Sequence, residues 1–175
     1  AKEHNAVYVH AFDDPLTIAG QGTVGKELIE QLPNGCDFLF APIGGGGFIS
    51  GVSSYLKAIH PRIKIYGVEP VGAPCMQTAL KEGKVVTLEK IDTFVDGCAV
   101  QRAGDLPFAI CQKNLEKVVL VSEGKVCTTM IELYQNEGII AEPAGALSLS
   151  ALDDFASEIK GKPVVCVLSG GINDI

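Results

Sequence analysis

Two glycine-rich stretches hold most of the chain's chemistry. The first is Pro42-Ile43-Gly44-Gly45-Gly46-Gly47-Phe48, which follows an apolar run and leads into a stretch of helical period. Consecutive glycines cost backbone entropy, so they make sense where a loop must take φ values closed to other residues or bring bare N–H groups against a ligand. At the start of a helix those N–H groups sit at the positive end of the dipole and favour an anion. The stretch reads as a phosphate cradle formed by Gly44, Gly45, Gly46, Gly47 and the amide of Phe48. A tight strand-to-helix turn with no ligand is the alternative. The second stretch is Ser169-Gly170-Gly171-Ile172-Asn173-Asp174, after the apolar run Val164 to Leu168. Ser169 either presents its hydroxyl to a ligand in the cleft or caps a turn. The residue types alone leave both open.

The ligand class narrows by elimination. A nucleoside-triphosphate loop needs Gly-Lys-Ser/Thr after its glycines, and here Gly47 is followed by Phe48-Ile49-Ser50. A dinucleotide fold is a closer rival, because Glu69 ends the next apolar run about where a ribose-binding acid belongs. Its third small residue, however, falls on Ile49 or Ser50 in either register.

The elements that must position these stretches follow from periodicity. Phe38 to Ala41, Ile63 to Val68, Lys117 to Val121 and Val164 to Leu168 are apolar throughout, as parallel strands buried on both faces are. Helical stripes lie between them. One comprises Phe48, Val52, Tyr55, Leu56 and Ile59 and stops at Pro61; another comprises Val126, Met130, Leu133 and Tyr134, opening after Ser122 and closing at Gly138. Further helices are expected from about Thr23 to Leu32, and from Pro143 through Leu147, Ala151, Leu152 and Phe155 to Gly161. The segment from Glu82 to Asp105 reads as irregular. The fold class is α/β, an open parallel sheet covered by helices on both faces, and residues 1–175 form a single domain.

Composition limits the partners. The net charge of −7 gives no overall attraction for nucleic acid or an anionic membrane surface, so a small molecule is the expected partner. No apolar run reaches the length of a spanning helix, and the expected location is the cytoplasm. Six cysteines stand isolated, with no C-x-x-C pair, and read as reduced thiols acting as small hydrophobes. His4, His10 and His60 are too scattered for a triad or a metal site.

Taken in order, Ala19-Gly20-Gln21-Gly22-Thr23, Gly44 to Phe48, Gly67-Val68-Glu69-Pro70, Asp96-Gly97, Ala141-Glu142-Pro143-Ala144-Gly145-Ala146 and Ser169-Gly170-Gly171 resemble threonine dehydratase and its relative serine racemase. These are fold type II pyridoxal-phosphate enzymes. The run Asp96 to Val100 is more similar to the biosynthetic dehydratase. The resemblance implies pyridoxal 5'-phosphate as cofactor, with its phosphate on Gly44 to Phe48 and its pyridine nitrogen on Ser169. It implies an amino-acid substrate, threonine or serine, losing its Cα proton and β-hydroxyl to give 2-oxobutyrate or pyruvate and ammonia. It also implies a homo-oligomer for the full-length enzyme.

Some positions depart from the pattern. The family's cofactor-bearing lysine stands in a Ser-x-Lys-x-Arg-Gly-Ala motif, and no lysine of this chain has those neighbours, so the site has no catalytic residue of its own here. Ile172 replaces the usual asparagine. The racemase-like pattern pairs Glu69 with an acid six residues on, where this chain has Cys75, and no metal is expected. Glu142 either complements a helix dipole or takes part in catalysis. The chain is expected to be the C-terminal portion of a catalytic domain, without the segment that bears the lysine and without a regulatory domain.

Overall fold

The structure is a computed structural model that describes residues 6–172; His4, Asn173 and Asp174 lie outside the described residues. Four strands, β1 (Phe38–Pro42), β2 (Lys64–Pro70), β3 (Lys117–Val121) and β4 (Val164–Cys166), form one parallel sheet in the order β3-β2-β1-β4. Phe40 pairs with Tyr66 on one side and with Cys166 on the other, so β1 and β2 are central.

Alternation along the central strands divides the core in two. Phe38, Phe40, Tyr66 and Val68 face one way and pack with Val126, Leu147 and Phe155. Leu39, Ala41 and Ile65 face the other way and pack with Ile49, Val52, Leu56, Met76 and Cys111. Helices therefore cover both faces, as the unbroken apolar runs require. Burial on both faces holds for β1 and β2 alone. The edge strands β3 and β4 are only partly buried, and the β4 ladder ends at Cys166 instead of Leu168, with one further bond from the Val167 amide to the Phe40 carbonyl at 3.0 Å.

The first helix, α1 (Pro15–Gln31), begins well before the expected Thr23. Asp14 caps it through Leu16 and Thr17 at 2.8 and 3.0 Å, with Pro15 in the first turn. Helix α2 (Gly47–Ile59) runs from the glycine loop to His60, where Pro61 ends it. Two helices escape the periodic pattern: α3 (Cys75–Glu82) and α4 (Asp105–Asn114). Each has an N-cap residue without a capping side chain of its own, Pro74 and Gly104, and takes its cap from a carboxylate outside the helix. Glu69 accepts from the amides of Met76 and Gln77, and Asp13 from those of Asp105 and Leu106.

Helix α5 (Glu123–Glu132), capped by Ser122, widens into a π turn (Leu133–Glu137) that Gly138 stops at φ 67°. The last helical stretch is broken: α6 (Pro143–Ser150) is followed by a 3₁₀ turn (Leu152–Phe155) and α7 (Ala156–Ile159). The break accompanies the docking of Phe155 against Phe40 and Tyr66, at centroid distances of 5.2 and 4.7 Å. Between α3 and α4 the chain is largely irregular, as expected, apart from a 3₁₀ turn at Asp96–Cys98 and an isolated bridge between Thr87 and Arg102. No helix among the described residues is long and apolar enough to cross a membrane.

Candidate functional site

Both glycine-rich stretches leave neighbouring strands at the same edge of the sheet. The loop Gly44 to Gly47 continues from β1, and Ser169-Gly170 follows β4, which pairs with β1 from Phe38 to Phe40. The carboxyl edge of a parallel sheet is where such folds bind ligands.

Phe12, Met76 and Pro107 brace the glycine loop. Gly46 is the N-cap of α2 at φ 93°, a left-handed conformation that a side chain resists, and a Cβ there would lie 2.7 Å from Met76 Cε. A Cβ on Gly45 would lie 2.3 Å from Phe12 Cγ, and one on Gly47 would lie 2.7 Å from Phe12 Cα. The space beside Gly45 is taken by Phe12. The carbonyls of the loop are engaged too. Gly45 accepts from the Gly104 amide at 3.0 Å, and Gly44 from the Cys75 thiol at 3.4 Å.

The loop amides remain. Among the described residues, none of the five consecutive N–H groups of Gly44 to Phe48 donates to a protein acceptor, although Gly45, Gly46 and Gly47 are buried. Buried amides are rarely left so, and a run of them at the positive end of a 13-residue helix is a donor set that suits an anion with several acceptor oxygens. A phosphate group fits that donor set.

Glu69 is fully buried beneath the loop. Its carboxylate accepts from the amides of Met76 (2.7 Å) and Gln77 (2.9 Å) and from the Cys75 thiol (3.6 Å). Burial outweighs these bonds and pushes the carboxyl up to about 7. With its oxygens spent inside the fold, Glu69 is not free to hold a ribose, which removes the dinucleotide rival's acid. The same burial, with Glu69 beside it, pushes the Cys75 thiol up, so it stands here as a neutral donor.

The second exit is more open. Ser169 is exposed, and among the described residues its hydroxyl has no protein partner, so the structure gives no support to the turn-cap role. Its neighbour is fixed instead: the Gly170 carbonyl accepts from the Glu142 amide at 3.0 Å, and a Cβ on Gly170 would meet Glu142 Oε1 at 2.4 Å. Glu142 is the N-cap residue of α6 but makes no side-chain cap there. Its carboxylate stands over Gly170 and also faces Gly97, whose carbonyl would lie 3.2 Å from a Cβ on Gly44. The turn Asp96–Cys98 therefore lies between the two exits. Sequence reasoning singled out Asp96-Gly97 without finding this, because only the fold brings that turn beside both loops. Phe12 and Asp13 it missed altogether. Ile172 is 91% exposed.

Comparison with known proteins agrees with this geometry. The family model described as pyridoxal-phosphate dependent enzyme matches residues 1–170. The chain belongs to this family. It is 58% identical over 173 residues to a biosynthetic L-threonine dehydratase of Halalkalibacterium halodurans, covering 99% of this chain and 42% of that protein. Against the corresponding enzyme of Bacillus subtilis it is 51% identical over 168 residues, covering 96% and 40%. The chain thus spans about two fifths of the length of the curated relatives it matches. Among solved structures, the processed form of threonine deaminase isoform 2 from Solanum lycopersicum superposes with a TM-score of 0.94 at 38% identity, covering 99% of this chain and 51% of that one. Maize serine racemase superposes at 0.93 with 35% identity, covering 99% and 55%.

Proposed function

We propose that this chain supplies the cofactor-binding face of a pyridoxal-phosphate-dependent threonine dehydratase, an ammonia-lyase that converts L-threonine or L-serine to 2-oxobutyrate or pyruvate and ammonia. The observation that carries the reading is the run of five amides from Gly44 to Phe48 without a protein acceptor. In this reading those amides hold the cofactor phosphate. Their burial keeps competing water away, and the bracing of the loop keeps their directions fixed before the ligand arrives. Ser169, three residues past β4, would hold the pyridine nitrogen with a neutral hydroxyl. A hydroxyl, unlike a carboxylate, does not hold that nitrogen protonated, which moderates electron withdrawal and favours elimination over transamination. When bound, the cofactor supplies the electron sink for loss of the Cα proton and the β-hydroxyl.

The lysine that would anchor the cofactor is absent from this chain's motifs, so the chain acts as part of a larger enzyme. The reading extends to isoleucine biosynthesis, in keeping with the biosynthetic name of the relatives, and to a cytoplasmic, homo-oligomeric full-length enzyme. Calorimetric titration with pyridoxal phosphate tests it. Reversible binding is expected, competed by inorganic phosphate, with no lysine trapped by borohydride and no 2-oxobutyrate formed from threonine. Binding of NADH with none of pyridoxal phosphate would overturn the reading. Turnover with a single trapped lysine inside the chain would show that the catalytic residue has been misplaced.

A further inference from the structure

The segment His10 to Asp14 lies outside the sheet and outside every element, yet it is tied down at each residue that matters. The His10 ring accepts at Nδ1 from the amides of Phe12 (3.3 Å) and Asp13 (2.9 Å), and the His10 carbonyl accepts from Thr17 Oγ1 at 3.0 Å. That turn turns two neighbouring side chains to two different tasks. Phe12 goes to the glycine loop, where its ring takes the space beside Gly45 and its backbone the space beside Gly47. Asp13 goes to α4, where its two carboxylate oxygens accept from the amides of Leu106 and Asp105, each at 3.0 Å. The start of α4 is in turn bonded to the loop, since the Gly104 amide donates to the Gly45 carbonyl.

These contacts close a ring: His10 fixes Phe12 and Asp13, Phe12 presses on the loop from outside, and Asp13 holds α4, which holds the Gly45 carbonyl. Gly45 is the middle of that ring and carries one of the amides aimed at the anion. With four glycines in a row the loop has little stiffness of its own, and Met76 and Pro107 brace it on the Gly46 side only. We propose that Phe12 is the positioning residue of the phosphate cradle, a wedge that sets the directions of the Gly44 to Phe48 amides, and that Asp13 is the tie that holds the wedge's counterpart in place. This rests on the reading of the loop as an anion cradle, but the mechanical part can be tested without any ligand.

The experiment uses the 175-residue chain labelled with ¹⁵N and compares it with Phe12→Ala, Phe12→Leu and Asp13→Ala. Backbone order parameters are measured at Gly44 to Phe48, and affinity is measured with inorganic phosphate and with pyridoxal phosphate. In the parent the loop amides should be as rigid as helices, near ~0.85. In Phe12→Ala they should drop below ~0.6 while the order parameters of α2 and α5 stay unchanged. Phosphate and pyridoxal phosphate should then bind about tenfold more weakly. Phe12→Leu, which keeps an apolar wedge, should restore most of both; a residue that merely stabilised the fold would lower order everywhere and show no such local rescue. Should Phe12→Ala fail to fold, the surface change Asp13→Ala decides: it should loosen the same amides and weaken both ligands. Loop amides and affinities equal to the parent's in the folded variants would overturn the proposal. If the parent itself binds neither ligand, the cradle reading falls, and the order parameters alone judge the wedge.

Discussion

The two exits at the carboxyl edge of the sheet are built to opposite specifications. The glycine loop after β1 comes off a fully buried central strand and is pressed by Phe12, Met76 and Pro107, with the carbonyls of Gly44, Gly45 and Gly46 bonded to the protein. The exit after β4 comes off a half-buried edge strand, and Ser169 on it is exposed with no protein partner among the described residues. The difference teaches where this chain is self-sufficient. In the proposed reading the anion cradle is preorganised by this chain's own residues, whereas Ser169 is held only through its neighbour, where the Gly170 carbonyl accepts from the Glu142 amide.

That contrast is broken most severely at Gly45. Gly45→Val drives a branched side chain into Phe12 and should cost about 3 kcal/mol, seen as a lower urea midpoint, together with the loss of pyridoxal-phosphate binding. A variant that binds and unfolds like the parent would mean the loop is looser than described.

The next largest effect lies beneath the loop and depends on pH. Glu69 in the fold is raised to about 7 from an ordinary 4.5, so the folded chain binds the extra proton between those values. Its contribution is therefore fully present below about 4.5 and is lost as pH rises through about 7. Glu69→Gln removes that dependence. Between pH 5 and pH 8 the parent should lose on the order of 2–3 kcal/mol relative to the variant, measured by denaturant unfolding at each pH. Parallel stability profiles for the two proteins would place the Glu69 carboxyl in a far wetter site.

Ser169→Ala should be the mildest. For an exposed hydroxyl without a partner the stability change should stay within about 0.5 kcal/mol. In the full-length enzyme the same change should lower turnover well beyond that, since its effect falls on the cofactor ring. Equal turnover would leave Ser169 without a role in the chemistry.

Legibility in the sequence follows the same division. Residues whose roles are set by near neighbours were readable: the apolar runs of the central strands, Pro61 ending α2, Gly138 ending the π turn, and the glycines at the head of α2. The helices α3 and α4 were not, because the carboxylates that cap them stand outside the usual N-cap position, Glu69 in the preceding strand β2 and Asp13 about ninety residues away. Early periodicity also placed the start of α1 too late. Its first turns carry the small residues Ala19, Gly20 and Gly22, which lack an apolar stripe, and Gly22 packs against the Gly51 backbone. The apolar run of β4 signalled a strand but not its place at the edge, since sheet order is set by pairing that periodicity does not encode. The role of Phe12 had no local signal at all.

The central claim is that the amides of Gly44 to Phe48 form a ready anion cradle. It is tested most directly by following the amide resonances of the ¹⁵N-labelled chain while inorganic phosphate and then pyridoxal phosphate are added. Saturable shifts concentrated at Gly44 to Phe48 are predicted for both ligands, with Ser169 and Gly170 responding to pyridoxal phosphate alone. Shifts that avoid the loop, or none at concentrations where phosphate competes with pyridoxal phosphate, would contradict it.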